Sequence, residues 1–194
     1  MKEDTTRETL LIRIKNRDDS QAWSEFHELY APLLYRFSRE RGLSHDDAED
    51  IRATCFAAIV KQVEEFEYDR SKGGFKAWLR TLVNRRIIDR ARKRKERTAD
   101  SRQLSKLASD EKEAHEIWDR NWQQQHLLYC FDLAKSKTPE TTFRAFEMLI
   151  RERATVPEVC KELGLNANQV YKAKARVLQI VREELQLLDP DLDF

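Results

Sequence analysis

The chain has 194 residues, 40% of them hydrophobic and 37% charged, with a net charge of +1. That length holds one large domain or two small ones, and so charged a chain can bury only modest cores between amphipathic helices. Four glycines and four prolines are too few for a β-rich or disordered protein, and the rest is dominated by residues that lose least on entering a helix. An all-α fold is expected, as two small helical domains joined by a flexible linker.

In chain order, residues 8–17 form a short amphipathic segment around Leu10, Leu11 and Ile14. Apolar residues then recur at three- and four-residue steps from Ala22 to Phe37, a helical stripe facing a core. Pro32 is expected to kink that helix or divide it, and Gly42 to close it. Ser44 can cap the next helix, with Asp46 and Asp47 in its first turn, where acids suit the helix dipole. A loop at 68–74 leads to a helix carrying Phe75, Trp78, Leu79, Leu82, Val83 and Ile87 inward. From 97 to 115 large apolar residues almost vanish, and the stretch reads as an interdomain linker. Domains are therefore expected at 1–96 and 116–194. Periodicity resumes at Ile117, Trp118 and Trp122 and breaks at Thr138-Pro139. At 155–185, Thr155 can cap a helix, Gly164 suits a sharp turn, and Asn166 can cap a second helix, a helix-turn-helix pattern.

Although net charge is near zero, its distribution is uneven. Residues 44–69 hold eight acids and two bases, and residues 85–97 hold eight bases and two acids. Such separation suggests two surfaces with different partners. The basic block exceeds what solubility requires and suits phosphate contact. Bases position a protein without specifying sequence. The side chains placed to read sequence lie nearby: Arg80, Asn84 and Ile88 share one helix face, and the loop Arg70-Ser71-Lys72-Gly73 can hold an extruded base. In the C-terminal pattern, Asn168, Gln169, Tyr171, Lys172 and Arg176 occupy early exposed positions suited to a major groove. The acids at 46–50 are consecutive, exposed in pattern and accompanied by one histidine, His45. That argues for a docking surface and against catalysis. Cys55, Cys130 and Cys160 are scattered, lack metal spacing and read as buried free thiols of a cytoplasmic protein. The N-terminus is charged and reads as no signal peptide. No apolar run approaches the roughly 20 residues of a membrane span.

Taken together and in order, three segments resemble the sigma-70 family of bacterial RNA polymerase sigma factors, most of all the extracytoplasmic-function group, which keeps only domains two and four. HDDAEDIRATCFAAIV resembles region 2.2, FKAWLRTLVNRRIIDRARKRK resembles regions 2.3 and 2.4, and VPEVCKELGLNANQVYKAKARVL resembles region 4.2. The resemblance implies a non-catalytic promoter-specificity subunit with no cofactor. It implies that Asp47, Glu49 and Asp50 face the β′ clamp helices of core RNA polymerase. It implies that Arg70, Ser71, Lys72, Arg80, Asn84, Arg85, Ile88 and Arg92 meet the minus-ten element of promoter DNA. Asn168, Gln169, Tyr171, Lys172 and Arg176 would meet the minus-thirty-five element, and the C-terminal domain would also meet the β flap. An anti-sigma partner is a further implication, with nothing in the sequence to identify it. At the start of the recognition helix the family usually has Thr or Ser, then a basic and a small residue. Here Ala167-Asn168-Gln169-Val170-Tyr171-Lys172 stands instead, so no promoter sequence carries over. Two rival readings remain: a stand-alone helix-turn-helix regulator, which leaves the acidic and basic helices without purpose, and a helical adaptor that binds only proteins.

Overall fold

The computed structural model describes residues 7–66, 74–98 and 111–189. Every regular element among them is an α-helix, as expected: α1 (Arg7–Arg13), α2 (Ser20–Glu40), α3 (His45–Gln62), α4 (Gly74–Thr98), α5 (Glu111–Ser136), α6 (Glu140–Ile150), α7 (Val156–Leu163) and α8 (Ala167–Leu188). The chain divides into two compact units, one spanning Glu8–Gln125 and the other holding the described residues from His126 onward. No described helix is long and apolar enough to cross a membrane.

The boundaries of the helices follow from local chemistry. Asp19 caps α2 by accepting from the backbone N–H of Ala22 at 2.8 Å, and Arg13 holds that carboxylate from the other side at 3.0 Å. The α2 helix ends in a turn where Gly42 N–H reaches the Arg39 carbonyl and Leu43 N–H reaches that of Ser38. This pairing requires the positive φ of 87° that Gly42 supplies. Ser44 then accepts from the Asp47 N–H to start α3. Of the two expected outcomes, Pro32 does not divide α2: one helix runs from Ser20 to Glu40 through it. Pro32 faces solvent, where water can satisfy the carbonyl deprived of its partner, and its neighbours Tyr30, Ala31, Leu33 and Leu34 are buried and hold the helix in place.

The 8–125 unit is built on aromatic rings. Phe26, Tyr30 and Phe37 of α2 are fully buried. Phe75 of α4 packs against Phe26 and Tyr30, with ring centroids 5.9 and 5.2 Å apart. The first half of α5 completes this core: Trp118 meets Phe37 at 5.0 Å, and Trp122 meets Tyr30 at 5.7 Å. Both tryptophans are fully buried. The second domain, expected from residue 116, thus starts later as a compact unit, because Trp118 and Trp122 bury their rings against α2. Of the expected linker at 97–115, residues 97 and 98 end α4 and 111–115 begin α5. Residues 99–110 lie outside the described ones.

In the second unit, Cys130 and Ala134 of α5 pack with Phe143 and Phe146 of α6 and with Val177, Ile180, Val181 and Leu185 of α8. A smaller cluster joins Ala145 and Met148 of α6 to Val159 of α7 and Val170 and Ala173 of α8. Glu158 accepts from the Thr155 backbone N–H at 2.7 Å to start α7, and Gly164 closes it at φ 65°. Asn166 and Gln169 then cap α8 reciprocally, each side chain accepting from the other residue's N–H. Burial pushes the Cys55 and Cys130 thiols up to about 12, which leaves them protonated and inert.

Candidate nucleic-acid interface

Four-residue spacing places Arg80, Asn84 and Ile88 on one side of α4, and the structure brings them together. With Arg85 they line a cleft of about 680 Å³. The cleft does not belong to α4 alone. Arg41, at the end of α2, and Lys112 and His115, in the opening turns of α5, line it as well. Four cationic side chains therefore face one carboxylate, that of Glu111. Cations concentrated in a concave, partly desolvated space attract phosphate more strongly than the same charges spread over an open surface. Asn84, with an amide donor and acceptor, adds the kind of group that distinguishes one base edge from another.

Arg92 is not part of this cleft. It lines another, of about 370 Å³, among Arg86, Asp89, Arg90 and Lys93 of α4 and Asp50 and Thr54 of α3. The expected minus-ten residues thus divide between two recesses on α4. Arg70, Ser71 and Lys72 lie outside the described residues.

On α3 the three acids expected to dock a partner differ in their engagement. Asp47 accepts from Arg90 at 2.7 Å, and its side chain is only 15% exposed. Arg90 also pairs with Asp50 at 2.9 Å, but Asp50 remains 59% exposed. Glu49 pairs with Arg52 of its own helix. The guanidinium of Arg90 is thus held by two carboxylates, with its pKa raised above the ordinary value, first by the hydrogen bond to Asp47. Asp47 ties the acidic helix to the basic one, while Asp50 keeps its charge toward solvent.

In the second unit, Asn168, Tyr171, Lys172 and Arg176 are all exposed on α8, Tyr171 by 59% despite its large ring. Lys172 and Arg176 share a shallow recess with Gln169 and with Thr141 and Thr142 of α6. The side-chain oxygen of Gln169 is occupied by the cap, accepting from Asn166 N–H at 2.8 Å. That leaves its amide nitrogen as the group able to reach outward. The turn from Gly164 to Asn166 fixes where α8 begins, so the exposed residues sit in its first three turns.

Reading the sequence missed Arg41, Lys112 and His115 as lining residues and Arg90 as the clamp on α3. Arg41 lies far from α4 in sequence. Lys112 and His115 fell within the expected linker, although the i, i+4 pairing of His115 with Asp119, at 3.3 Å, is a sign of helix that the sequence offered.

A helical unit with a basic, amide-bearing cleft beside an acidic helix offers groups suited to phosphate and to base edges. Residues 26–97, from α2 to the end of α4, match the family model described as Sigma-70 region 2. The match covers well under half of the chain, and shows that this segment is similar to the region that model describes. No curated protein matches the chain.

Proposed function

We propose that this chain is a promoter-specificity subunit of the extracytoplasmic-function type, directing core RNA polymerase to a subset of promoters. The observation that carries the reading is the gathering of Arg80, Asn84, Arg85 and Ile88 into one basic cleft within the segment that matches sigma-70 region 2. In this reading the cleft meets the minus-ten element, and Arg70, Ser71, Lys72 and Arg92 contribute to the same contact. Asp50 and Glu49 dock against the β′ clamp helices, and Asp47 holds α3 in place through Arg90. The exposed face of α8, from Asn168 to Arg176, meets the minus-thirty-five element, and the unit that carries it meets the β flap. The part of the first unit likened to region 2 ends near residue 96, and the unit from His126 onward carries the helix-turn-helix. An anti-sigma factor is a compatible partner. The protein acts in the cytoplasm, where its polymerase is, and performs no catalysis of its own.

Two measurements test this. Purified chain and core RNA polymerase should form a complex at low salt, and its absence would overturn the reading. Transcript-start mapping after overexpression should reveal new starts that share two sequence elements. Tight sequence-specific binding to duplex DNA without polymerase, together with no core complex, would favour a stand-alone regulator instead.

A further inference from the structure

The match to region 2 stops at residue 97, yet the compact unit continues through Gln125. The added segment is firmly built in. Trp118 and Trp122 are fully buried in the aromatic core. Asp119 pairs with Lys76 of α4 at 2.7 Å, and Lys76 lies over the Trp122 ring at 5.8 Å. Arg120 pairs with Glu40 at the end of α2. The same Asp119 carboxylate holds His115 through its second oxygen at 3.3 Å. These interactions hold the start of α5 beside the face of α4 that carries Arg80, Asn84 and Ile88.

Into the cleft α5 presents Lys112 and His115, with the Glu111 carboxylate beside them. The Lys112 side chain is 91% exposed, and its nearest carboxylate, Glu116, stands 4.0 Å away. His115 is more than half exposed. Lys112 stands apart from the interactions that fix α5, whereas His115 shares in them through Asp119. A cleft walled by α4 on one side and by α5 on another is concave. Duplex DNA is read by a convex helix entering a major groove, whereas an unpaired strand is held in a positively charged groove that tracks its backbone. The volume, about 680 Å³, lies within the roughly 300–1,000 Å³ of pockets that enclose small molecules.

We propose that Lys112 and His115 bind the phosphate backbone of single-stranded promoter DNA, so that the first turns of α5 form the second wall of a cleft whose other wall, Arg80, Asn84 and Ile88, faces the bases. The inference rests on the reading of α4 as the minus-ten surface. It extends that surface to residues beyond the matched region, and it assigns this stretch to strand binding in place of a passive tether.

The test uses the full chain and a fluorescently labelled single-stranded oligonucleotide pool of random sequence, titrated at several salt concentrations and followed by anisotropy, with the corresponding duplex pool in parallel. The variant Lys112→Glu with His115→Ala should weaken single-strand binding by roughly tenfold or more. It should also reduce the slope of log affinity against log salt by about 0.7 for each phosphate that is no longer neutralised. Duplex binding should change less. The variant Arg80→Glu with Arg85→Glu serves as the reference for the α4 wall. If it abolishes binding while the α5 variant keeps the wild-type affinity and salt slope, the α5 inference fails and the α4 reading stands. If the wild type binds no single strand even at low salt, or neither variant changes binding, both fail. Unchanged thermal unfolding of the α5 variant excludes a folding defect, since both side chains lie at the surface.

Discussion

The cleft on α4 and the exposed face of α8 differ in how much of the chain is needed to make them. Residues Asn168 to Arg176 lie within one helix, and their placement follows from a turn and a cap immediately before them. The cleft draws on α2, α4 and α5, and the α5 contribution stands because two tryptophans pack against α2, helped by the ion pairs of Asp119 and Arg120. A surface of the first kind tolerates change elsewhere in the molecule, whereas one of the second kind is as stable as the core that assembles it.

The largest expected effect tests that dependence directly. Trp118→Ala empties a fully buried site and should destabilise the 8–125 unit by about 3–5 kcal/mol, read as a lowered denaturant midpoint. An unchanged midpoint would mean that α5 is not part of that unit, and the contrast between the two surfaces would vanish. Next, Asn84→Ala removes an amide from the cleft without emptying the core. If Asn84 reads a base, promoter use should fall about 5- to 150-fold, the equivalent of about 1–3 kcal/mol, with stability unchanged. Transcription from a mapped promoter measures the first and thermal melting the second. An equal loss at every promoter variant would point to phosphate binding and not to base reading.

A smaller effect is expected where the second surface is set locally. Asn166→Ala removes one side of the reciprocal cap on α8 and should cost about 1 kcal/mol. Gln169→Ala should behave alike in stability, because its oxygen serves the same cap. A loss at Gln169 confined to promoter recognition would show that its side chain leaves the cap to meet DNA.

The smallest effect concerns acid, and each unit offers one probe. The Arg13 guanidinium, helped by the Ala22 N–H, holds the Asp19 carboxyl below its ordinary value. The Thr155 N–H, helped by the Thr155 hydroxyl, does the same for Glu158. A carboxyl with a lowered folded-state pKa stabilises the protein above its unfolded value, near about 4, and that contribution is lost as pH falls through the folded value. Asp19→Asn should therefore flatten the acid limb of the stability curve for the 8–125 unit. Glu158→Gln should do so for the other. Denaturant unfolding across that pH range measures both, and a limb of unchanged steepness would show that other carboxylates govern acid unfolding.

Much of the local structure is legible in the sequence alone. The apolar stripe from Ala22 to Phe37, the caps at Ser44 and Asn166 and the turns at Gly42 and Gly164 depend on neighbours within a few residues, so the sequence displays them. The face of α4 bearing Arg80, Asn84 and Ile88 is legible for the same reason, since helical spacing alone puts them on one side. Pro32 is misleading: its effect depends on whether its neighbours are buried well enough to keep the helix whole.

What tertiary structure decided is which surfaces meet. Periodicity marks Trp118 and Trp122 as facing a core, but not whose core, and only packing assigns them to α2. That assignment brings Lys112 and His115 to the cleft. Likewise, the acids at 46–50 look equivalent in sequence, and it is the approach of Arg90 from α4 that makes Asp47 a structural partner and leaves Asp50 facing solvent. A sequence specifies the apolar and charged faces of each helix through short-range spacing. Which face covers which is a long-range choice, settled by the burial of large rings that no single segment can achieve alone.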